Sequence, residues 1–251
     1  MEKTFYEEVN GKQICCVLSQ PRFSSKKMVI MSHGFRGNST GPSRSFVNFK
    51  DILVSEGFNV FRFDQPYSGN SEGSFVDSSF NEWVQTIVHF VRQYFDKGYE
   101  IVLLGQSMGA TATVIASARN DIKDKIAAMI LWVPDPKSED SDWLSIEIPT
   151  KKYQNNIFEE GGQKYKGRFW KEVKDADFFT CINEYKGPIH LVYGQEDMFV
   201  SERLRERVVH VVREKGQQVM ILKGQNHSGW DYDVCLEVYK AELEFIKKYL
   251  Y

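Results

Sequence analysis

Short apolar runs alternate along the chain with longer stretches whose apolar residues recur every three or four positions. The short runs predict strands over 13–19, 27–31, 59–63, 100–104, 127–133, 189–193 and 218–222. Several are continuous rather than alternating, as Ile101-Val102-Leu103-Leu104 shows, which is the pattern of strands covered on both faces. Between them, Phe80, Trp83, Val84, Ile87, Val88, Val91, Tyr94 and Phe95 fall on one helical face, and Gly98 follows as a stop. Helices are likewise expected over 45–55, 108–118, 201–215 and 234–249. Strand and helix in turn imply an α/β domain with a mostly parallel sheet.

One stretch breaks the alternation. Residues 134–187 offer no clear strand, are polar, carry Pro134, Pro136 and Pro149 early and Gly161-Gly162 late, and hold many aromatics. A long insertion in a compact domain is expected to be a lid or cap, here within one domain spanning 1–251. Trp143, Tyr153, Phe169 and Trp170 are its candidate pocket residues.

Candidate chemistry sits where strands end. Gly105-Gln106-Ser107-Met108-Gly109 matches G-x-S-x-G between a strand and a helix. Small residues on both sides of a tight strand–helix turn let a serine hydroxyl project above the sheet, so Ser107 is the expected nucleophile. A serine needs a base. His89 and His210 lie inside predicted helices and His190 inside a strand, whereas His227 stands in the Gly-rich loop after the last strand. His227 is therefore the expected base. Asp197, after the strand 189–193, is the favoured orienting acid, with Asp135 and Glu196 as competitors. Backbone N–H groups of Met108 and of Phe35, in Ser32-His33-Gly34-Phe35-Arg36-Gly37, are expected to form an oxyanion hole, with His33 hydrogen-bonded within that loop.

These residues resemble the α/β-hydrolase superfamily over essentially the whole chain: His-Gly-Phe-x-Gly at 33–37, Gly-x-Ser-x-Gly at 105–109, Gly-x-x-Asp at 194–197 and Gly-x-x-His at 224–227. Within it the chain is most similar to small bacterial carboxylesterases of the cinnamoyl (feruloyl) type, through Lys164-Tyr165-Lys166-Gly167-Arg168-Phe169 and Tyr185-Lys186-Gly187-Pro188. Gln106 and Met108 replace the His and Gln common there, and no histidine occurs in 64–73. The resemblance implies a central sheet of about eight strands with a small lid, a serine carboxylesterase acting on small-to-medium, including aromatic, esters, and no cofactor or metal. Thioesterase, acyltransferase or monoacylglycerol lipase activity through the same three residues is the alternative. A non-catalytic binding protein of the same fold is the third reading.

Composition narrows the partners. Hydrophobic residues make up 42% and charged residues 26% of 251, as in a globular protein. A net charge of −2 gives no field for nucleic acid or an anionic membrane. No apolar run approaches the ~18 residues of a spanning helix, so no stable membrane association is expected. Met1 to Glu8 has no basic start or apolar stretch, which predicts a cytoplasmic location. Cys15, Cys16, Cys181 and Cys235 have no metal-ligand spacing and read as reduced thiols. A small-molecule ester is the expected partner, and a homodimer is left open.

Overall fold

A computed structural model describes residues 1–136 and 151–250. In chain order the main elements are β1 (Glu2–Val9), β2 (Lys12–Ser19), β3 (Lys27–Ser32), α1 (Ser45–Ser55), β4 (Asn59–Phe63), α2 (Phe80–Asp96), β5 (Glu100–Gln106), α3 (Met108–Ser117) and β6 (Ile126–Trp132). There follow β7 (Lys151–Lys152), β8 (Ile157–Glu160), β9 (Gln163–Lys166), α4 (Arg168–Asp175), α5 (Phe178–Glu184), β10 (Ile189–Gly194), α6 (Glu202–Glu214), β11 (Gln218–Leu222) and α7 (Tyr232–Leu250).

Eight strands form one sheet in the order β1-β2-β4-β3-β5-β6-β10-β11. Only β2 runs against its neighbours, pairing antiparallel with β1 and β4; the pairs from β4 to β11 are parallel. This is the mostly parallel α/β sheet that the apolar runs imply, with the eight strands that the resemblance implies. Met28 to Met31, Ile101 to Leu104 and Met129 to Trp132 are all buried, as strands between two helical layers must be. From β3 the chain steps outward to β4 and then back past β3 to β5. Right-handed crossovers therefore place α1 and α2 on opposite faces. α1 packs on α7, and α2 packs on α3. The strand order reverses between β3 and β5, and a crevice opens at the carboxyl ends of strands at such a point.

Three local features depart from the sequence expectation. β1 joins the sheet although its charged, half-exposed residues give no apolar run. The strand expected to reach residue 133 stops at Trp132, because Val133 turns into the left-handed region at φ 45°. A β-branched side chain there costs on the order of 1–3 kcal/mol. The turn is held by the Val133 N–H to Val192 carbonyl bond at 2.8 Å and sends Pro134 and Asp135 across the crevice. Finally, the described part of the 134–187 insertion is structured where no strand is expected. β7, β8 and β9 make a small antiparallel sheet, and α4 and α5 follow it. Its strands are only two to four residues long, so the period-2 signal is weak.

Candidate active site

Ser107 occupies the turn between β5 and α3 at φ 54° and ψ −122°, a conformation costly for any residue with a Cβ. Two glycines make the turn sterically feasible. A Cβ on Gly109 would stand 2.2 Å from the Ser32 carbonyl oxygen, and one on Gly105 would stand 2.4 Å from the Ala110 Cα. The Ser107 carbonyl accepts from the amides of Ala110 and Thr111, and its own N–H donates to the Trp132 carbonyl at 2.8 Å. The strained residue is thus pinned between the sheet and the first helical turn.

The Gly-rich loop after β11 brings His227 over this turn. Its Nε2 lies 2.7 Å from Ser107 Oγ, and its Nδ1 lies 2.8 Å from Asp197 Oδ2. Asp197 Oδ1 accepts from the amides of Phe199 at 2.9 Å and Val200 at 3.0 Å. Both oxygens of a fully buried carboxylate are therefore engaged. Asp197 reaches this place because Gly194 ends β10 hard against the histidine loop; a Cβ there would meet the Asn226 carbonyl at 2.2 Å. A carboxylate facing Nδ1 fixes the tautomer with the proton on Nδ1 and leaves Nε2 able to accept the serine proton. Of the two competing acids, Glu196 is exposed, and Asp135 lines the cavity without bonding to His227, whose two nitrogens are both taken.

The loop after β3 forms the opposite side. His33 Nδ1 donates to the Gly34 carbonyl at 2.8 Å, and His33 Nε2 accepts the Gln65 amide at 2.8 Å. Complete burial lowers the His33 pKa and keeps it neutral. Gly34 donates its amide to Gln106 Oε1 at 3.2 Å, so the residue before Ser107 anchors this loop. A Cβ on Gly34 would sit 2.9 Å from the Ser107 Cβ. The remaining histidines lie elsewhere: His190 is buried against Glu242, His89 faces Glu7, and His210 pairs with Glu214 along α6.

Ser107 and His227 open into a cavity of about 440 Å³. Gly34, Phe35, Asp135, Trp170 and Phe199 are among its lining residues, and the β8–β9 hairpin reaches over it with Glu160, Gly161 and Gln163. Arg36, at φ 60°, ties the hairpin down through an ion pair with Glu160 at 3.1 Å. Of the four aromatics singled out as pocket candidates, Trp170 lines the cavity. Phe169 is fully buried behind it, 4.9 Å from the Phe35 ring. Tyr153 is 40% exposed and donates to Glu159 instead, since its short strand neighbour lies on the outside of the insertion. Trp143 lies outside the described residues. Sequence reasoning missed Phe199, whose ring centre is 5.0 Å from that of His227, and the Arg36–Glu160 pair, because both depend on contacts distant in sequence. Among the described residues no helix is long and apolar enough to cross a membrane.

Comparison with known proteins agrees with this architecture. A family model described as the alpha/beta hydrolase fold matches residues 27–171. No curated protein matches the chain significantly in sequence. Among solved structures, Est1E from Butyrivibrio proteoclasticus with ferulic acid bound superposes with a TM-score of 0.80 at 23% identity, covering 98% of this chain and 99% of that one. A monoacylglycerol lipase from Paleococcus ferrophilus gives 0.72 at 18% identity, covering 92% and 98%. The thioesterase domain from the curacin biosynthetic pathway gives 0.67 at 15% identity, covering 98% and 99%.

Proposed function

Because the chain belongs to the alpha/beta hydrolase family, we propose that it is a serine hydrolase that cleaves carboxylic esters through an acyl-enzyme. The unbroken line of hydrogen bonds from Ser107 through His227 to Asp197 carries this reading. Each link supplies one requirement of the chemistry. His227 Nε2 takes the Ser107 proton as Oγ attacks the ester carbonyl. Asp197 holds the imidazole in the needed tautomer and stabilises the imidazolium that forms. The amides of Phe35 and Met108 receive the developing oxyanion, the latter at the N-terminus of α3 where the helix dipole assists. His227 then protonates the leaving alcohol, water enters, and the same proton movements release the acid. Residues 134–187 act as the lid over this reaction, with Trp170 and the Glu160–Gln163 turn facing the substrate.

Similarity in fold to a protein holding ferulic acid and to a monoacylglycerol lipase supports a carboxylic ester as the bond cleaved. The curacin-pathway domain keeps a thioester as the second reading, because the same three groups serve either bond. Hydrolysis of p-nitrophenyl butyrate by the wild type, lost in Ser107→Ala, together with fluorophosphonate labelling at Ser107, is the expected outcome. Equal turnover by the two proteins would overturn the reading. A matched butyryl thioester in the same assay ranks the two bonds.

A further inference from the structure

Beside the candidate catalytic cavity lies a second, of about 490 Å³, that the reaction above leaves unused. It opens between α1 and α7. Ile52, Trp132, Trp230, Leu236 and Tyr239 give it mostly apolar walls. The two cavities meet at Pro42, Gln106, His227 and Ser228, whereas Ser107 belongs to the first alone. His227 thus lines both cavities.

The chemistry assigns the two cavities different roles. The acyl carbon is bonded to Ser107 and so stays in the first cavity. The leaving oxygen must come within hydrogen-bond reach of the imidazole that protonates it, so the departing group lies toward His227. We propose that the cavity between α1 and α7 is the alcohol subsite and takes a compact, neutral, largely apolar alcohol. This assignment rests on the ester-hydrolase reading.

Two further observations shape the ligand. Apart from His227, the one charged side chain among the lining residues is Asp51, which is paired with Lys50, and no lining Lys or Arg is there to hold an anionic group. In addition, the hydroxyl oxygen of Ser45, a lining residue, is buried without a hydrogen-bond partner. The Tyr239 hydroxyl is paired with the neighbouring Cys235 thiol, which itself donates to the Trp230 carbonyl at 3.4 Å. Buried hydroxyls left unpaired are costly. A second oxygen on the alcohol would give the Ser45 hydroxyl a partner after rotation of that side chain.

The test pairs turnover with binding. Methyl butyrate and 2-naphthyl butyrate share an acyl group and differ only in the alcohol. Leu236→Trp, which fills the cavity from α7, is expected to lower the ratio of kcat/KM for the naphthyl over the methyl ester about tenfold or more. Ser107→Ala protein is expected to bind 2-naphthol with one site by calorimetry, and Leu236→Trp in that background to weaken it at least tenfold. An unchanged ester ratio, or 2-naphthol binding that Leu236→Trp leaves intact, would overturn the proposal. Turnover of both esters without naphthol binding would overturn the subsite while the hydrolase reading stands. Binding of 2-naphthol with no turnover of either ester would overturn the hydrolase reading and with it the alcohol role of the cavity.

Discussion

Asp197 spends one carboxylate oxygen on two backbone amides and the other on His227, so the imidazole faces an acceptor that cannot rotate away. Asp197→Asn keeps the shape but presents an amide N–H or a weaker acceptor to Nδ1, which favours the wrong tautomer. A fall in kcat for p-nitrophenyl butyrate on the order of 10³–10⁴-fold is expected, with the fold intact by circular dichroism. His33 supports the neighbouring loop only while neutral, since its Nε2 accepts the Gln65 amide and burial lowers its pKa. In the unfolded chain the same ring titrates near 6.5. Below that pH the unfolded state takes up a proton that the folded state refuses, so this share of stability is complete above it and is lost as pH falls. The urea midpoint should drop between pH 7.5 and pH 5. His33→Asn should start less stable and show a shallower drop.

Elements differ in how plainly they declare themselves. Glu242 on α7 joins three of them: its two oxygens hold His190 Nδ1 of β10 at 2.6 Å and Trp132 Nε1 of β6 at 2.8 Å, all buried. Glu242→Ala orphans both donors at about 1–3 kcal/mol each. Urea unfolding should register that loss, and Glu242→Gln should recover part of it. None of this network was visible in the chain, because its members are 52 and 110 positions from Glu242. The sheet was far more legible: β3, β5, β6 and β10 are sandwiched between helices, so nearly every residue had to be apolar. β1 escaped notice because a largely exposed strand needs no such run, and β8 and β9 because four residues are too few to show one. Ser107 was legible through flanking glycines that a close approach demands, and His227 through Gly224 and Gly229, which turn the loop at positive φ. Among Asp135, Glu196 and Asp197, loop position after a strand favoured Asp197 without excluding the others, since all three follow strand ends and contact geometry completes the choice.

Taken as a whole, the molecule gathers its candidate site at the reversal of strand order between β3 and β5, with the β8–β9 hairpin and Trp170 at the cavity wall. The Phe35 ring packs against Phe75, Tyr165, Phe169 and Trp170, and Arg36 next to it grips Glu160. Arg36→Met should free the hairpin without loosening the sheet. Amide hydrogen exchange is expected to speed up about tenfold across 157–166, the equivalent of ~1.4 kcal/mol, and to stay unchanged in β5.

Phe35 and Arg36 are consecutive, and that adjacency has mechanical meaning. One peptide offers the amide proposed to meet the oxyanion, while the next clamps the roof. Raising the roof to admit a wider guest must either snap the clamp or drag the neighbouring amide out of line. On the ester-hydrolase reading, size is therefore judged during the reaction as well as at the doorway: an oversized ester that forces its way in dulls the very donor awaiting its carbonyl oxygen.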